Sequence, residues 1–523
     1  MGTIIETKID RFDGGIENDS RDPRENTCRV VSNFNIITDP RKMSPYRDSE
    51  EGDDSSSTSR KRNFAIAIRT GTTYSIYGLG VQSGADDAEI EFKNITIDTD
   101  ANDLDDSAWG TTSNNIQTSG TDTNFNLFVY YPRTDRIYGA RDGTNIWAYD
   151  PDGSSAFGNS ERAITYTDIA QGLVHSKDDI LYVPYDNKIA KNDNGSWTDA
   201  ALTLPTHFVI TSISEFGNFL AIAAAPLSGL GNSRVFLWDR DSTLTTLTES
   251  IDWGEGVIRI IEEIDGVLIG IATSGGISAD NLPLLTGIRF NDRIFFRRLL
   301  GNRAVKFKEI IGGPSTTLLP IAKQKIDNKL FFMMRATING AVREGVWSIG
   351  RTSSEVPWTL VHERTPQNDT ALSSSFALYN FLIVGDFMFQ AFQSGSAFEI
   401  TKTNEDVSHT ATSIYESKIF DGSFHGFDSS HRKDLKEVNV LTEFLPTAGQ
   451  VVLAYRVNEN TSYTTIFTED TNDSISHTAI NIESSGAALP KDYKEIQFRI
   501  ESTGNAEITG LIFKEEVTGK RLF

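Results

Sequence analysis

Cysteine is almost absent: the 523-residue chain contains one, Cys28. A single thiol excludes an internal disulfide framework and a cysteine-based zinc site. Cys28 itself reads as a small apolar residue rather than a nucleophile. No run of 18 apolar residues occurs, so no membrane-spanning helix is expected. The opening residues, MGTIIETKIDRFDGG, lack the apolar stretch of a secretory signal. Positive charge is in deficit, with 49 Lys and Arg against 72 Asp and Glu and a net charge of −23. That balance argues against a general nucleic-acid coat, which needs surplus cations to neutralise phosphates. Sustained helical periodicity is also missing, and Thr, Ser, Asn, Asp, Gly, Ile and Phe stand where helix formers would be expected.

The 31 Phe and 15 Tyr that are present exclude a disordered chain. At about 150 residues per domain, the length allows two to four domains. Short runs of β-branched or aromatic residues, bounded by Gly, Asn and Asp, recur throughout. NLFVYY (126–131), DILYVPY (179–185), GVLIGIA (266–272) and KLFFMMR (329–335) are examples. They predict short strands joined by tight turns. The central apolar runs start near Phe64, Leu127, Ile180, Phe219, Val267, Leu330 and Phe381. Their spacing of about 40 to 60 residues is near that of four-stranded propeller blades.

A four-stranded unit that is apolar on both faces must stack on neighbours to bury them. The expected fold is therefore all-β: a β-propeller of six or seven irregular blades over 63–407. A set of separate β-sandwiches is the alternative, and a β-helix would need shorter, more regular repeats. Residues 1–62 read as an irregular N-terminal segment with a mobile low-complexity loop at 49–62. From 408 to 523 the pattern becomes a period-2 alternation, in VNVLTEF (438–444), VVLAYRV (451–457), SYTTIF (462–467), TAINIE (478–483), EIQFRIE (495–501) and EITGLIF (507–513). That alternation predicts a C-terminal antiparallel β-sandwich with one solvated face.

Chemical motifs are sparse. The histidines His175, His207, His362, His409, His425, His431 and His477 show no metal-ligand spacing, although His425 and His431 share one loop. No nucleophile elbow, phosphate loop or dinucleotide fingerprint occurs, so no catalytic residue, metal or cofactor is expected. DNGSW (193–197) loosely resembles a sialidase Asp-box and reads as a hairpin turn, as does Asp150-Pro-Asp-Gly. The acidic stretch 86–106 reads as a solvated face before a calcium loop. One basic island stands out at 289–308: Arg289, Arg293, Arg297, Arg298, Arg303, Lys306 and Lys308 against Asp292. It is a candidate interface with the acidic surface of a neighbouring subunit or with passing DNA. The alternative is a pair of edge strands whose charges block aggregation.

Two stretches carry a family resemblance. RFDGGI (11–16), NFNII (33–37) and MSPYRDSEEGD (43–53) resemble the opening of tail-associated structural proteins of tailed bacteriophages. Asn35 stands where that pattern has Asp, and Met43 where it has Leu. YESKIFDG (415–422), KEVNVL (436–441) and YKEIQFRIES…AEITGLIF (493–513) resemble the β-sandwich that ends many such proteins. With propeller-like repeats between them, the chain is similar to the tail nozzle proteins of short-tailed phages. The resemblance implies a virion protein assembled in the bacterial cytoplasm. Its subunits would form a homo-oligomeric, typically hexameric ring that contacts the tail adaptor and lets DNA pass without specific binding. It carries over no catalytic residues and does not say which carboxylates line a channel. Two other functions remain open. A receptor- or glycan-binding tail protein would use exposed Trp197, Trp238, Trp347 or Trp358, although packing between blades is the role favoured for them. A polysaccharide hydrolase would use a carboxylate pair that no motif singles out.

Overall fold

A computed structural model describes the chain except residues 1–2, 13–14, 17–26, 37–40, 46–48, 55–58, 71–72, 83–87, 97–109, 118–124, 142–144, 152–156, 165–169, 228–231, 242–246, 248, 275–292, 312–316, 339–340, 352–357, 367–376, 385–386, 395–396, 404–411, 426–430, 459, 481–488 and 521–523. Its described residues are strands and turns, with two single-turn 3-10 pieces at Pro132–Thr134 and Ser423–His425.

Seven four-stranded antiparallel units follow one another, and they are the blades of a β-propeller. Their first strands are Ser59–Thr70, Phe125–Tyr131, Leu173–His175, Phe208–Phe216, Val257–Ile264, Thr317–Ile326 and Ala377–Val384. First strands touch between blades 1 and 2 and between successive blades from 3 to 7, Gln171 just before blade 3 bonds Phe128 of blade 2, and the first strand of blade 7 returns to that of blade 1, so the ring closes. The seven apolar runs seen in the sequence map one to a blade. Those at Ile180, Phe219, Val267 and Leu330 are second strands, and those at Phe64, Leu127 and Phe381 lie in first strands.

Two-residue turns set the hairpin registers. Ile264 pairs with Val267 around Asp265-Gly266, both at positive φ (51° and 72°). Asp193 pairs with Ser196 around Asn194-Gly195 in the same way. Such turns match the right-handed twist of the strands they join, and Asn, Asp and Gly are the residues that tolerate them. The DNGSW segment is therefore a hairpin turn within blade 3.

The N-terminal segment departs from expectation. Instead of an irregular 1–62 with a mobile loop, residues Ser49–Asp54 form the fourth strand of blade 7, antiparallel to Ala397–Thr403. Ser59–Thr70 then opens blade 1. The polar composition of 49–54 hid a strand that donates its backbone to close the ring. Residues 55–58 lie outside the described residues.

The sandwich is built from both ends of the chain. Thr3–Ile9 pairs antiparallel with Ile508–Lys520, which pairs with His431–Thr442. Thr27–Ser32 pairs antiparallel with Ser413–Ser417, and that strand with Ile496–Thr503. All six strands expected after residue 408 are found, with 481–483 outside the described residues. Thr27–Ser32 also meets the outer strand of blade 6, Thr359–Arg364, in parallel at Ser32 and His362. One ten-stranded sheet thus runs from blade 6 into the sandwich. The largest core cluster is continuous as well, joining Phe296 of blade 5 and Trp347 of blade 6 to Phe12, Phe34, Tyr415, Phe498 and Phe513.

Gly15 shows why the N-terminal double glycine matters. Its φ is +63°, and a Cβ there would lie 2.7 Å from the Leu360 backbone nitrogen. Only glycine both adopts that conformation and lets the segment lie directly on blade 6.

Candidate functional site

The basic island folds as a hairpin at the outer side of blade 5, Arg293–Leu300 and Arg303–Ile311, turning at Gly301-Asn302. Side chains alternate faces along a strand, and directly paired residues share a face. The pairs Arg298 with Val305 and Leu300 with Arg303 therefore place these four on one face. Arg297, Leu299, Ala304 and Lys306 take the other, where Leu299 and Ala304 pack on the apolar seam with blade 4.

Arg297 is internal. Its guanidinium lies 4.8 Å from the Phe295 ring centre, and Nη1 donates to the Glu255 carbonyl at 2.9 Å. Burial lowers its pKa, against the pull of Glu255, Glu309 and Asp252. Beyond it the register slips, with Phe296 opposite Lys308 and Arg297 opposite Lys306, so Phe307 is bulged out. The slip turns Lys308 inward, where it is buried and donates to the Ile16 carbonyl at 2.6 Å. Lys306 and Arg293 both reach the Glu309 carboxylate, at 2.5 and 3.4 Å.

The seven candidates thus separate. Arg297 and Lys308 hold the fold together, Arg293 and Lys306 surround Glu309, and Arg289 lies outside the described residues. Arg298 and Arg303 reach no carboxylate among the described residues, and Arg298 Nε is buried there without a hydrogen-bond partner. Sequence reading missed Leu300 (60% exposed) and Val305 (37%), which flank them. The Gly-Asn turn signal at 301–302 would have given the register and hence the shared face.

Polar side chains stitch the blade seams. Lys323 of blade 6 donates to the Ile213 carbonyl of blade 4 at 2.9 Å and the Ile261 carbonyl of blade 5 at 2.8 Å. It also pairs with Glu262 at 2.9 Å, whose other oxygen accepts from Ser214 at 2.8 Å. Gln324 exchanges two hydrogen bonds of 2.8 Å with the Ile383 backbone of blade 7. Gln171 likewise exchanges hydrogen bonds of 2.9 and 3.3 Å with the Phe128 backbone between blades 3 and 2. A primary amide is a backbone look-alike, so each glutamine extends pairing across a seam where no strand ladder runs. Arg240 on blade 4 grips Asp178 in the first turn of blade 3, and Arg351 on blade 6 grips Asp265 in the first turn of blade 5 at 2.7 Å.

Tryptophans fill the gaps between blades. Trp238 meets Tyr182 edge-on at 5.8 Å, Trp197 meets Tyr138 at 5.7 Å and Trp358 lies 5.9 Å from Phe307. Trp238, Trp347 and Trp358 are buried and Trp197 is half-buried. The first three are thus unavailable as sugar-stacking platforms.

Among the described residues, no cluster of three or more potential metal ligands occurs. His425 Nε2 contacts Thr7 Oγ1 at 2.9 Å, while His409 lies outside the described residues. Of the acidic stretch, Ala88–Thr96 is a strand of blade 1 and the remainder lies outside the described residues. Residues 152–153 of the Asp150 turn do so too.

At the junction of blade 6 and the sandwich, Ser32 Oγ donates to His362 Nδ1 at 2.7 Å, and His362 Nε2 donates to the Glu344 carbonyl at 3.0 Å. Burial lowers the His362 pKa to about 3, helped by Arg343 and opposed by its bond to Glu344. The Glu344 carboxyl is raised to about 7 by burial, with Arg335 opposing at 3.1 Å. A serine beside a histidine invites a catalytic reading, but both are sealed (1% and 0% exposed), and the histidine's second nitrogen faces a carbonyl. The pair fastens two sheets together.

At one end of the sandwich, a cavity of about 490 Å³ is lined by Asp10, Arg11, Arg41, Lys42, Glu443 and Thr509. Lys42 is held by Glu507 at 2.8 Å.

No family model and no curated protein matches the chain. Among solved structures, it is similar to the Dos1 propeller, with 10% identity, a TM-score of 0.36, and 68% of this chain and 95% of that one covered. It is similar to the AfRom2 CNH domain at 10% identity and a TM-score of 0.38, covering 68% and 99%. It is also similar to a Trypanosoma rangeli sialidase in complex with sialic acid, at 10% identity and a TM-score of 0.30, covering 99% and 96%.

Proposed function

We propose that this chain is a non-enzymatic structural subunit of a bacteriophage tail, a nozzle or distal ring component bordering the DNA-ejection channel. One observation carries the reading. The two stretches that resemble tail proteins, hundreds of residues apart, fold into a single body. Phe12, Ile16, Phe34, Ile36 and Met43 of the first share one buried cluster with Tyr415, Phe420, Val438, Phe498 and Phe513 of the second. Short motifs that meet in one core are more informative than the same motifs scattered over a surface.

The charge supports the reading. A wall drawn from a chain of net charge −23 repels phosphates and lets DNA slide, where a basic wall would hold it. The fold also suits a mechanical part. The strands Thr3–Ile9 and Ile508–Lys520 are paired into the sandwich, and the sandwich shares a sheet and a core with the propeller. On this reading the protein assembles in the bacterial cytoplasm as a ring against the tail adaptor and other tail proteins.

Two measurements test the proposal. Mass spectrometry of purified particles should find the chain in several copies per virion. Its absence from particles would sink the reading. The purified protein should also fail to retain duplex DNA at physiological salt, and tight retention would count against a sliding channel.

A further inference from the structure

We infer that the outward face of the blade 5 hairpin, formed by Arg298, Leu300, Arg303 and Val305, docks against the carboxylate-rich surface of a second copy of this chain. The inference rests on the oligomeric part of the preceding reading and names the surface that reading lacks.

The face is defined by register. Cross-strand pairing of Arg298 with Val305 and of Leu300 with Arg303 puts two guanidinium groups and two aliphatic side chains side by side. The opposite face is occupied: Arg297, Leu299 and Ala304 pack inward toward blade 4. Deeper in the blade the face that carries Arg298 is also covered, with Ile294 and Phe296 in the core shared with blade 6, but near the turn it opens, where Leu300 is 60% exposed and Val305 is 37% exposed.

Charge selects the occupant. Elsewhere in the propeller, arginines meet acids, as Arg162 meets Asp199, Arg240 meets Asp178 and Arg351 meets Asp265. Arg298 and Arg303 are like charges on one face and reach no carboxylate among the described residues. A chain with 72 acidic residues against 49 basic ones is itself the carboxylate-rich partner that such a face recognises. The aliphatic pair adds apolar contact at the centre, with charges steering the approach.

The hairpin is unsuited to simple strand addition. Phe307 is bulged from its outer strand, and Lys306 projects beside it, both of which discourage backbone pairing. Docking is therefore through side chains, and it has a preferred partner rather than an open edge.

The test compares oligomer mass for the full chain with two variants, Arg303→Glu/Val305→Ser and Leu300→Ser, by mass photometry and sedimentation. Circular dichroism verifies that each is folded. All three altered residues are on the outward face, so folding should survive. The wild type is expected to be oligomeric, and each variant to dissociate with a constant raised by at least about tenfold. An oligomer unchanged in both folded variants would overturn the inference and leave the tail reading standing. A wild type that stays monomeric at all concentrations would also overturn it, whereas the presence of the chain in virions would still decide the tail reading separately. Loss of particle incorporation with an intact oligomer would assign the face to another tail protein and equally overturn it.

Discussion

The propeller and the sandwich solve the same problem in opposite ways. Each of blades 1 to 6 pairs strands that are consecutive in the chain, and the seams between blades are made by side chains such as Lys323, Gln324 and Arg351. The sandwich pairs strands from the two ends, with Thr3 opposite Val517 and Val31 opposite Tyr415. Local pairing costs little loop-closure entropy, whereas end-to-end pairing costs more and needs a large shared core to offset it. Blade 7 stands between the two cases, since its fourth strand comes from residues 49–54. The difference teaches that the propeller's modular seams and the sandwich's continuous core should respond differently to damage.

Phe12→Ala is the strongest test of that difference. Phe12 is buried and meets the Tyr415 ring at 5.4 Å, so truncation should cost about 3 to 5 kcal/mol. All seven tryptophans fall between residues 109 and 358, so their fluorescence reports the propeller alone. Because the core runs from the sandwich into blades 5 and 6, urea midpoints by tryptophan fluorescence and by circular dichroism should fall together. A shift in dichroism alone would show that the two regions unfold independently.

Lys323→Met is the matching test of a seam. It leaves Glu262 without its cation and two carbonyls without their donor, a loss of about 3 kcal/mol. The double variant Lys323→Met/Glu262→Gln should recover part of the loss in urea unfolding. No recovery would show that Glu262 is not what makes the loss large.

A smaller effect is expected from pH. The Glu344 carboxyl is raised to about 7 in the fold, above its usual 4.5, so the native state holds a proton that the unfolded chain releases. Its contribution is complete below about 4.5 and is lost as pH rises through 7. His362 works in the other direction: its pKa is lowered from 6.5 to about 3, so its contribution is present above 6.5 and lost as pH falls toward 3. Glu344→Gln should therefore flatten the decline in melting temperature between pH 5 and 8 and leave the acid side in place. A wild-type slope preserved in the variant would assign the decline to another group.

The smallest effect should come from Arg162→Ala. Its bond to Asp199 joins blades 2 and 3 at a partly exposed position, with side chains 37% and 47% accessible. Its removal should cost less than about 1 kcal/mol in urea unfolding. A loss as large as that of Lys323→Met would erase the distinction between buried and exposed ties.

Legibility in the sequence follows the same division. Strands whose partners are close in sequence could be read from alternation and turns, as with Gln450–Val457 and Thr464–Glu469 or the Asp265-Gly266 hairpin. Residues 49–54 could not, because their strand exists only by pairing with Ala397–Thr403, more than 340 residues away. The basic island was visible as a stretch of charge, but its division was not. Strand alternation sends Arg297 and Arg298 to opposite faces, and the bulge at Phe307 turns Lys308 inward, so neighbouring cations have different roles. The favoured role of the tryptophans, packing between blades, was legible, and Trp238 against Tyr182 and Trp358 against Phe307 take it.

Electron cryo-microscopy of particles that contain the chain tests the account most directly. Seven-bladed density joined to a sandwich is expected, repeated in a ring around the tail axis, with a channel wall dominated by carboxylates. Particles without that density, or a channel lined by lysine and arginine, would contradict it.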